Sequence, residues 1–131
     1  MCGIVGIAAP REDDSLDARL GEMLTAQAHR GPDGQGRVCE LSASARVALG
    51  HGRLAIIDLS DGGAQPMYSK SGRELLIFNG EIYNYREIAE DLRREGVELR
   101  TQSDTEVLLE ALLRWGDDAF RRLNGMWAFA F

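Results

Sequence analysis

The second residue is the first with chemistry to offer. The chain opens Met1-Cys2-Gly3, and an initiator methionine followed by a small residue is normally trimmed. Trimming leaves Cys2 with both a thiol and a free α-amine. An α-amine titrates at about 7.7–8.0, far below a lysine amine, so it can act as a general base near neutral pH. One residue then supplies nucleophile and base, as N-terminal threonines do in other acyl-transfer enzymes. Gly3 and Gly6 let backbone pack closely around it. Position alone favours a plainer reading, a buried cysteine opening a strand.

Three further places could serve such a nucleophile. Asn79-Gly80 joins an amide side chain to a donor-bearing glycine at an expected strand end, which can build an oxyanion hole; an Asn-Gly turn explains the pair as well. Arg53 closes the run Gly50-His51-Gly52-Arg53 and could hold a carboxylate with its planar fork, or pair with a surface acid. Asp104 opens a helix and could bind an ammonium group, or answer the helix dipole. The loop His29-Arg30-Gly31-Pro32-Asp33-Gly34 reads as turn chemistry with internal salt bridging, not as a catalytic histidine. Cys39 reads as a small, partly buried apolar residue.

The elements that must position these residues follow from periodicity. Ile4 to Ala8 is a short apolar run and reads as a strand. From Ser15 to Ala28, the residues Leu16, Leu20, Met23, Leu24 and Ala28 share one helical face, with Ser15 as N-cap. His29 to Gly36 reads as loop. Val38 to Leu41 and Val47 to Leu54 read as strands. Ala55 to Gln65 is loop with a turn at Asp61-Gly62-Gly63, and Leu75 to Asn79 is a strand that stops at Asn79-Gly80. A helix over Asn84 to Arg94 carries Asn84 and Glu87 as a capping box and Gly96 beyond its end. A second covers Asp104 to Trp115, with Ser103 and Glu106 as its box. A short helix over Asp117 to Leu123 and a strand over Met126 to Phe131 finish the chain. Mixed strands and helices without strict alternation predict an α+β fold, mainly antiparallel sheet covered by helices. An apolar strand at the very end predicts a truncated domain, because such a strand needs neighbours.

Composition narrows the function classes. The 131 residues fit one domain, and the net charge of −6 opposes nucleic-acid binding, which needs a basic surface. No apolar run reaches membrane-spanning length, and the start lacks a signal peptide's basic region, which predicts a cytoplasmic protein. The two cysteines and two histidines are not at metal-ligand spacing, and no phosphate-binding glycine loop follows a strand.

Taken together, seven segments in order resemble the N-terminal glutaminase domain of glutamine-dependent asparagine synthetases, a branch of the class II (Ntn-type) glutamine amidotransferases. They are Cys2 to Ile7, His29 to Gly34, Gly50 to Asp58, Gln65 to Met67, Phe78 to Tyr85, Ser103 to Glu106 and Leu123 to Phe131. Gly52 stands where that family often has a second arginine; Arg53 still aligns.

The resemblance implies an Ntn-hydrolase-like layering with its C-terminal part missing, a partial glutaminase domain over residues 1–131, and an absent synthetase domain. It implies Cys2 as nucleophile with its amine as base, and Asn79 and Gly80 as oxyanion hole. Arg53 would take the glutamine α-carboxylate, Asp104 with Glu81 the α-ammonium, and the backbone at Ile56 and Ile57 would line the pocket. No cofactor is implied in this chain; ATP and Mg would serve only the missing synthetase domain, which amidates aspartate to asparagine. Glutamine is the implied partner, with no nucleic acid and no membrane, and with a homo-oligomer or a completing synthetase chain as further partners. The alternatives are the glutaminase part of another class II amidotransferase with a different acceptor, and a non-catalytic remnant that binds a partner.

Overall fold

A computed structural model describes residues 2–41 and 44–131. Two three-stranded antiparallel sheets lie against each other, with helices on the two outer sides. The first sheet has β1 (Gly3–Ala9), β2 (Gly34–Leu41) and β3 (Arg46–Arg53), with β3 in the middle. Its register pairs Ile4 with His51 and Gly36 with His51, so β3 is held from both edges. Helix α1 (Leu16–Ala26) covers the outer face, where Leu16, Leu20 and Leu24 pack on Val5 and Ala48. These leucines recur every four residues and form one helical stripe. A side chain at Gly50 would meet Val5 Cγ2 at 2.8 Å and Leu24 Cδ1 at 3.0 Å, so glycine there sets how closely the helix sits.

The expected capping by Ser15 does not occur. Its hydroxyl and its N–H both donate to Asp13 Oδ1, at 2.5 and 2.9 Å, so Asp13 organises the turn instead. Two residues of the predicted face also fall off it: Met23 is exposed, and Ala28 lies beyond the helix in a 3-10 turn, Ala28–Arg30. The loop expected over His29 to Gly36 is shorter, because β2 already begins at Gly34. Cys39 is exposed rather than partly buried, with Sγ 3.9 Å from Asp17 Oδ1.

The second sheet has β4 (Met67–Tyr68), β5 (Leu75–Ile82) and β6 (Gly125–Ala130), with β5 in the middle. Leu76, Phe78 and Ile82 face α2 (Tyr85–Arg94) and α3 (Asp104–Trp115), and pack on Ile88, Leu92, Val107 and Leu108. Here β5 overrides the expected stop at Asn79-Gly80. It runs on to Ile82, with Asn79 opposite Ala128 and Gly80 opposite Trp127. An Asn-Gly pair signals a turn because it accepts positive φ, and Gly80 is not among the positive-φ glycines. Its lack of a side chain serves packing instead, since a Cβ would collide with the Met126 carbonyl oxygen.

Of the two predicted capping boxes, neither forms whole. Asn84 makes no cap bond; its Nδ2 donates to the Arg122 carbonyl at 2.9 Å and its Oδ1 accepts from Asn124 N at 2.8 Å, tying the start of α2 to the chain entering β6. Ser103 Oγ does cap α3, accepting from Thr105 N at 3.1 Å. Glu106 turns elsewhere: its carboxylate, fully buried, accepts from Arg100 N, Thr101 N and Arg100 Nε at 2.6–3.0 Å. Gly96, at φ +86°, ends α2 as predicted, with Val97 N donating back to Leu92 O at 3.0 Å. The predicted last helix is a 3-10 segment, Gly116–Arg121.

Candidate active site

Cys2 lies directly before β1, and its sulfur faces a cavity of ≈ 90 Å³ where the two sheets meet the 54–63 loop. The Leu54 N–H donates to Sγ at 3.3 Å, and the thiol reaches the Leu54 carbonyl at 3.6 Å. Arg30 Nε holds the Cys2 carbonyl at 3.1 Å. The cysteine is thus fixed from both sides, at its sulfur and at its backbone. Met1, on whose removal the free amine depends, lies outside the described residues.

Arg53, Ile56, Ile57, Gly80, Glu81 and Asp104 line the same cavity. Ile56 stands at its mouth, 62% exposed. Arg53 donates one Nη2 bond to the Asp58 carbonyl and has no ion pair among the described residues. Most of its five N–H donors therefore stay available. Asp104 is 6% exposed and accepts from Ile82 N at 3.1 Å, again with no cation among the described residues. Burial raises its pKa above the ordinary carboxylate value; the Ile82 and Thr105 N–H groups oppose that rise, and the Glu81 charge adds to it. A desolvated carboxylate without a counter-ion is unfavourable, and a cationic ligand group would relieve it.

The edge of β5 explains how Gly80 takes part. Successive N–H groups of a strand point to alternate edges. Phe78 N donates to Gln65 Oε1 at 2.6 Å and Ile82 N to Asp104 Oδ2 at 3.1 Å, both away from β6. The Gly80 N–H, between them, points to that same edge, where Gly80 borders the cavity. Asn79 does not line it. Its side chain lies on the face opposite Phe78, toward the first sheet, and its Oδ1 is buried with no hydrogen-bond partner among the described residues.

Four neighbours of the site carry no assignment from sequence reasoning. Arg30 holds Cys2, as described. Asp33 Oδ2 accepts from Ala55 N at 2.9 Å, and Asp33 N donates to Arg53 O at 3.0 Å. The 29–34 loop was expected to bond within itself; its polar side chains instead reach out to both flanks of the cavity. His29 is exposed and off the cavity wall. His51 and Gln65 are buried and line it. Both stand inside recognisable segments, yet a buried histidine or glutamine in a sequence does not disclose which backbone group it meets. Among the described residues no cluster of three or more His, Cys, Asp or Glu could hold a metal ion, and no helix is long and apolar enough to cross a membrane.

A thiol, a backbone donor, a cation and an uncompensated buried carboxylate thus surround one small cavity, an arrangement suited to acyl transfer on an amino acid. Comparison with known proteins agrees. The family model described as glutamine amidotransferase domain matches residues 1–131. Asparagine synthetase [glutamine-hydrolyzing] 1 of Bacillus subtilis is 38% identical over 98% of this chain and 20% of its own length. Asparagine synthetase B [glutamine-hydrolyzing] of Escherichia coli is 35% identical over 99% of this chain and 23% of its own. The chain therefore spans about a fifth to a quarter of such relatives. In fold, it resembles glutamine phosphoribosylpyrophosphate amidotransferase from B. subtilis, with a TM-score of 0.74 at 24% identity over 98% of this chain and 34% of that one. That likeness shows a shared α+β fold.

Proposed function

Because the chain belongs to the glutamine amidotransferase domain family, we propose that its cavity hydrolyses glutamine to glutamate and ammonia, with Cys2 as nucleophile. The observation that carries this reading is the convergence of the Cys2 thiol, Arg53 and Asp104 on one cavity. Arg53 takes the α-carboxylate through its free donors. Asp104, with Glu81, takes the α-ammonium and so gains the cation that its burial lacks. Ile56 and Ile57 flank the substrate from the 54–63 loop. These contacts direct the side-chain amide toward the sulfur.

The α-amine of Cys2, free once Met1 is removed, accepts the thiol proton as sulfur attacks the amide carbon. The tetrahedral oxyanion is held by the Gly80 N–H and, after a turn of its side chain, by the Asn79 amide. Collapse breaks the C–N bond; the proton on the Cys2 ammonium passes to the leaving nitrogen, and ammonia departs. Water then attacks the thioester, restoring the thiol and releasing glutamate. Nucleophile, base and oxyanion donors all belong to the chain, so we assign this step no cofactor.

In a longer protein, the ammonia would feed ATP- and Mg-dependent amidation of aspartate in a synthetase domain; the names of the B. subtilis and E. coli relatives support this acceptor. We place the protein in the cytoplasm, working with that domain or as a homo-oligomer.

Incubating the purified chain with glutamine and following glutamate tests the reading. Intact mass reports whether Met1 is gone. Turnover that Cys2→Ala abolishes supports the assignment. A folded, Met1-free chain without turnover leaves a binding-only role in its place.

A further inference from the structure

Beyond Leu76 the cavity-side edge of β5 has no strand partner among the described residues, since β4 pairs only Met67 with Leu76 and Tyr68 with Leu75. Unpaired backbone groups in an interior are costly and are normally satisfied by something. At Phe78 both are satisfied by buried side chains from outside the sheet. Gln65 Oε1 accepts from Phe78 N at 2.6 Å, and His51 Nε2 bonds the Phe78 carbonyl at 3.2 Å. Gln65 Nε2 in turn donates to Thr105 Oγ1 at 3.1 Å, next to Asp104. His51 is 1% exposed, opposite Ile4 in register and two residues before Arg53.

We propose that His51 and Gln65 are positioning residues: they hold the carbonyl and the N–H of Phe78 at the cavity-side edge of β5 and so set the Gly80 N–H against the Cys2 sulfur. The inference rests on the hydrolytic reading above. Its logic is geometric. Cys2 is fixed to the first sheet, through Arg30 and Leu54, while the oxyanion donor belongs to the second. His51 is the side chain on β3 that crosses to the backbone of β5 two residues before Gly80. A carbonyl can only accept, so Nε2 must carry the hydrogen. Nδ1 is buried with no partner among the described residues to accept a second proton, so the ring is neutral and Nδ1 is a bare acceptor. Burial supports the neutral form, pushing the ring's pKa down to about 4; the Phe78 carbonyl opposes this and the Arg53 charge adds to it. Accepting an orphaned ring nitrogen makes sense if the Nε2 contact itself is what the position requires.

The clamp is tested by turnover and by readouts independent of it. Ring-nitrogen chemical shifts of the unmodified chain should report a neutral Nε2–H tautomer from pH 8 down to about 5; an Nδ1–H tautomer at neutral pH overturns the proposal. In the kinetic arm, His51→Leu should lower kcat about a hundredfold, the scale of an ångström-size misplacement, with KM within about twofold. His51→Gln retains an N–H that can reach Phe78 and should restore most of the loss. The Gly80 amide resonance should move in His51→Leu and return in His51→Gln, while alkylation of Cys2 by iodoacetamide stays unchanged. Equal kcat in His51→Leu and the parent, or a His51→Gln no better than His51→Leu, overturns the clamp. If the parent releases no glutamate, the hydrolytic reading fails, and the tautomer and Gly80 resonance still decide whether His51 sets the strand.

Discussion

The backbone N–H of Leu54 points at the sulfur of Cys2 from 3.3 Å, across 52 residues of chain. This contact couples the proposed nucleophile to the loop that follows Arg53, so the sulfur and the proposed substrate-binding loop are positioned together. Replacing Cys2 by alanine should remove turnover altogether and leave the Leu54 N–H without its acceptor. Hydrogen exchange at Leu54 should then quicken while exchange in β3 stays slow. Cys2→Ser keeps an acceptor at a shorter reach; its turnover should fall by at least about a thousandfold, the scale seen when a nucleophile is removed. Leu54 exchange unchanged in Cys2→Ala would mean that the sulfur does not hold the loop.

Arg53 does two things at once. One Nη2 donates to the Asp58 carbonyl, and the Asp58 carboxylate accepts from Ser60 N at 2.9 Å and Gln102 N at 3.3 Å. The side chain therefore braces the 54–63 loop toward the segment leading into α3. Lysine has the charge but not the fork, and cannot grip both the loop and a carboxylate. Arg53→Lys should raise KM for glutamine about tenfold or more with a smaller change in kcat, the pattern of a lost binding contact. A kcat-only defect would place Arg53 outside substrate binding.

Asp104, the proposed ammonium ligand, makes the empty cavity a source of instability. Its folded pKa lies above the unfolded one, chiefly through burial. The carboxyl's contribution to stability is thus fully present below the unfolded value and is lost as pH rises through the folded one. As pH rises, ionisation of this buried group weakens the unliganded fold. Asp104→Asn keeps an oxygen for Ile82 N and removes the charge, so it should raise Tm of the ligand-free chain by a few degrees at pH 7.5. It should also remove the thermal shift that glutamine gives the parent. A lower Tm would show that the Ile82 bond needs the charged acceptor.

How far the sequence foretold this depends on the range of the interaction concerned. The leucine stripe of α1 and the apolar face of α3 were legible because helical burial repeats every turn. Gly96 was legible because its role is local. Residue type and position raised Cys2, Arg53, Gly80 and Asp104 as candidates but left each a bland explanation; motif resemblance favoured the functional reading, and Glu81 came from that resemblance alone. Most of what escaped was set by distant partners, with Ser15, taken by its near neighbour Asp13, as the local exception. Asn79-Gly80 reads as a turn until β6, some 45 residues on, pairs with it. Ser15 and Asn84 look like caps, but Asp13 and the 122–124 backbone compete for their side chains. Arg30 and Asp33 read as partners within one loop, yet their bonds run to Cys2 and Ala55. No local pattern announces that His51 will meet the carbonyl of Phe78.

That buried histidine leaves a mark on stability as well as on geometry. Its pKa falls from 6.5 in the unfolded chain to about 4 in the folded one, with burial as the main cause. A depressed pKa means that the unfolded state binds the proton first, so stability is fully present above pH 6.5 and declines as pH falls toward 4. The whole loss is on the order of 3 kcal/mol, from about 1.4 kcal/mol per pKa unit. Asp104 acts in the opposite sense over acid pH, so the parent's profile mixes the two. The difference between the parent and His51→Gln isolates the imidazole, because glutamine does not titrate and Asp104 is common to both. Urea unfolding of the two at pH 7.5, 6, 5 and 4 should show the parent losing ground on the variant through that window. Parallel profiles would mean that His51 protonates in the folded chain as readily as in the unfolded one, and that burial does not confine it to the neutral form.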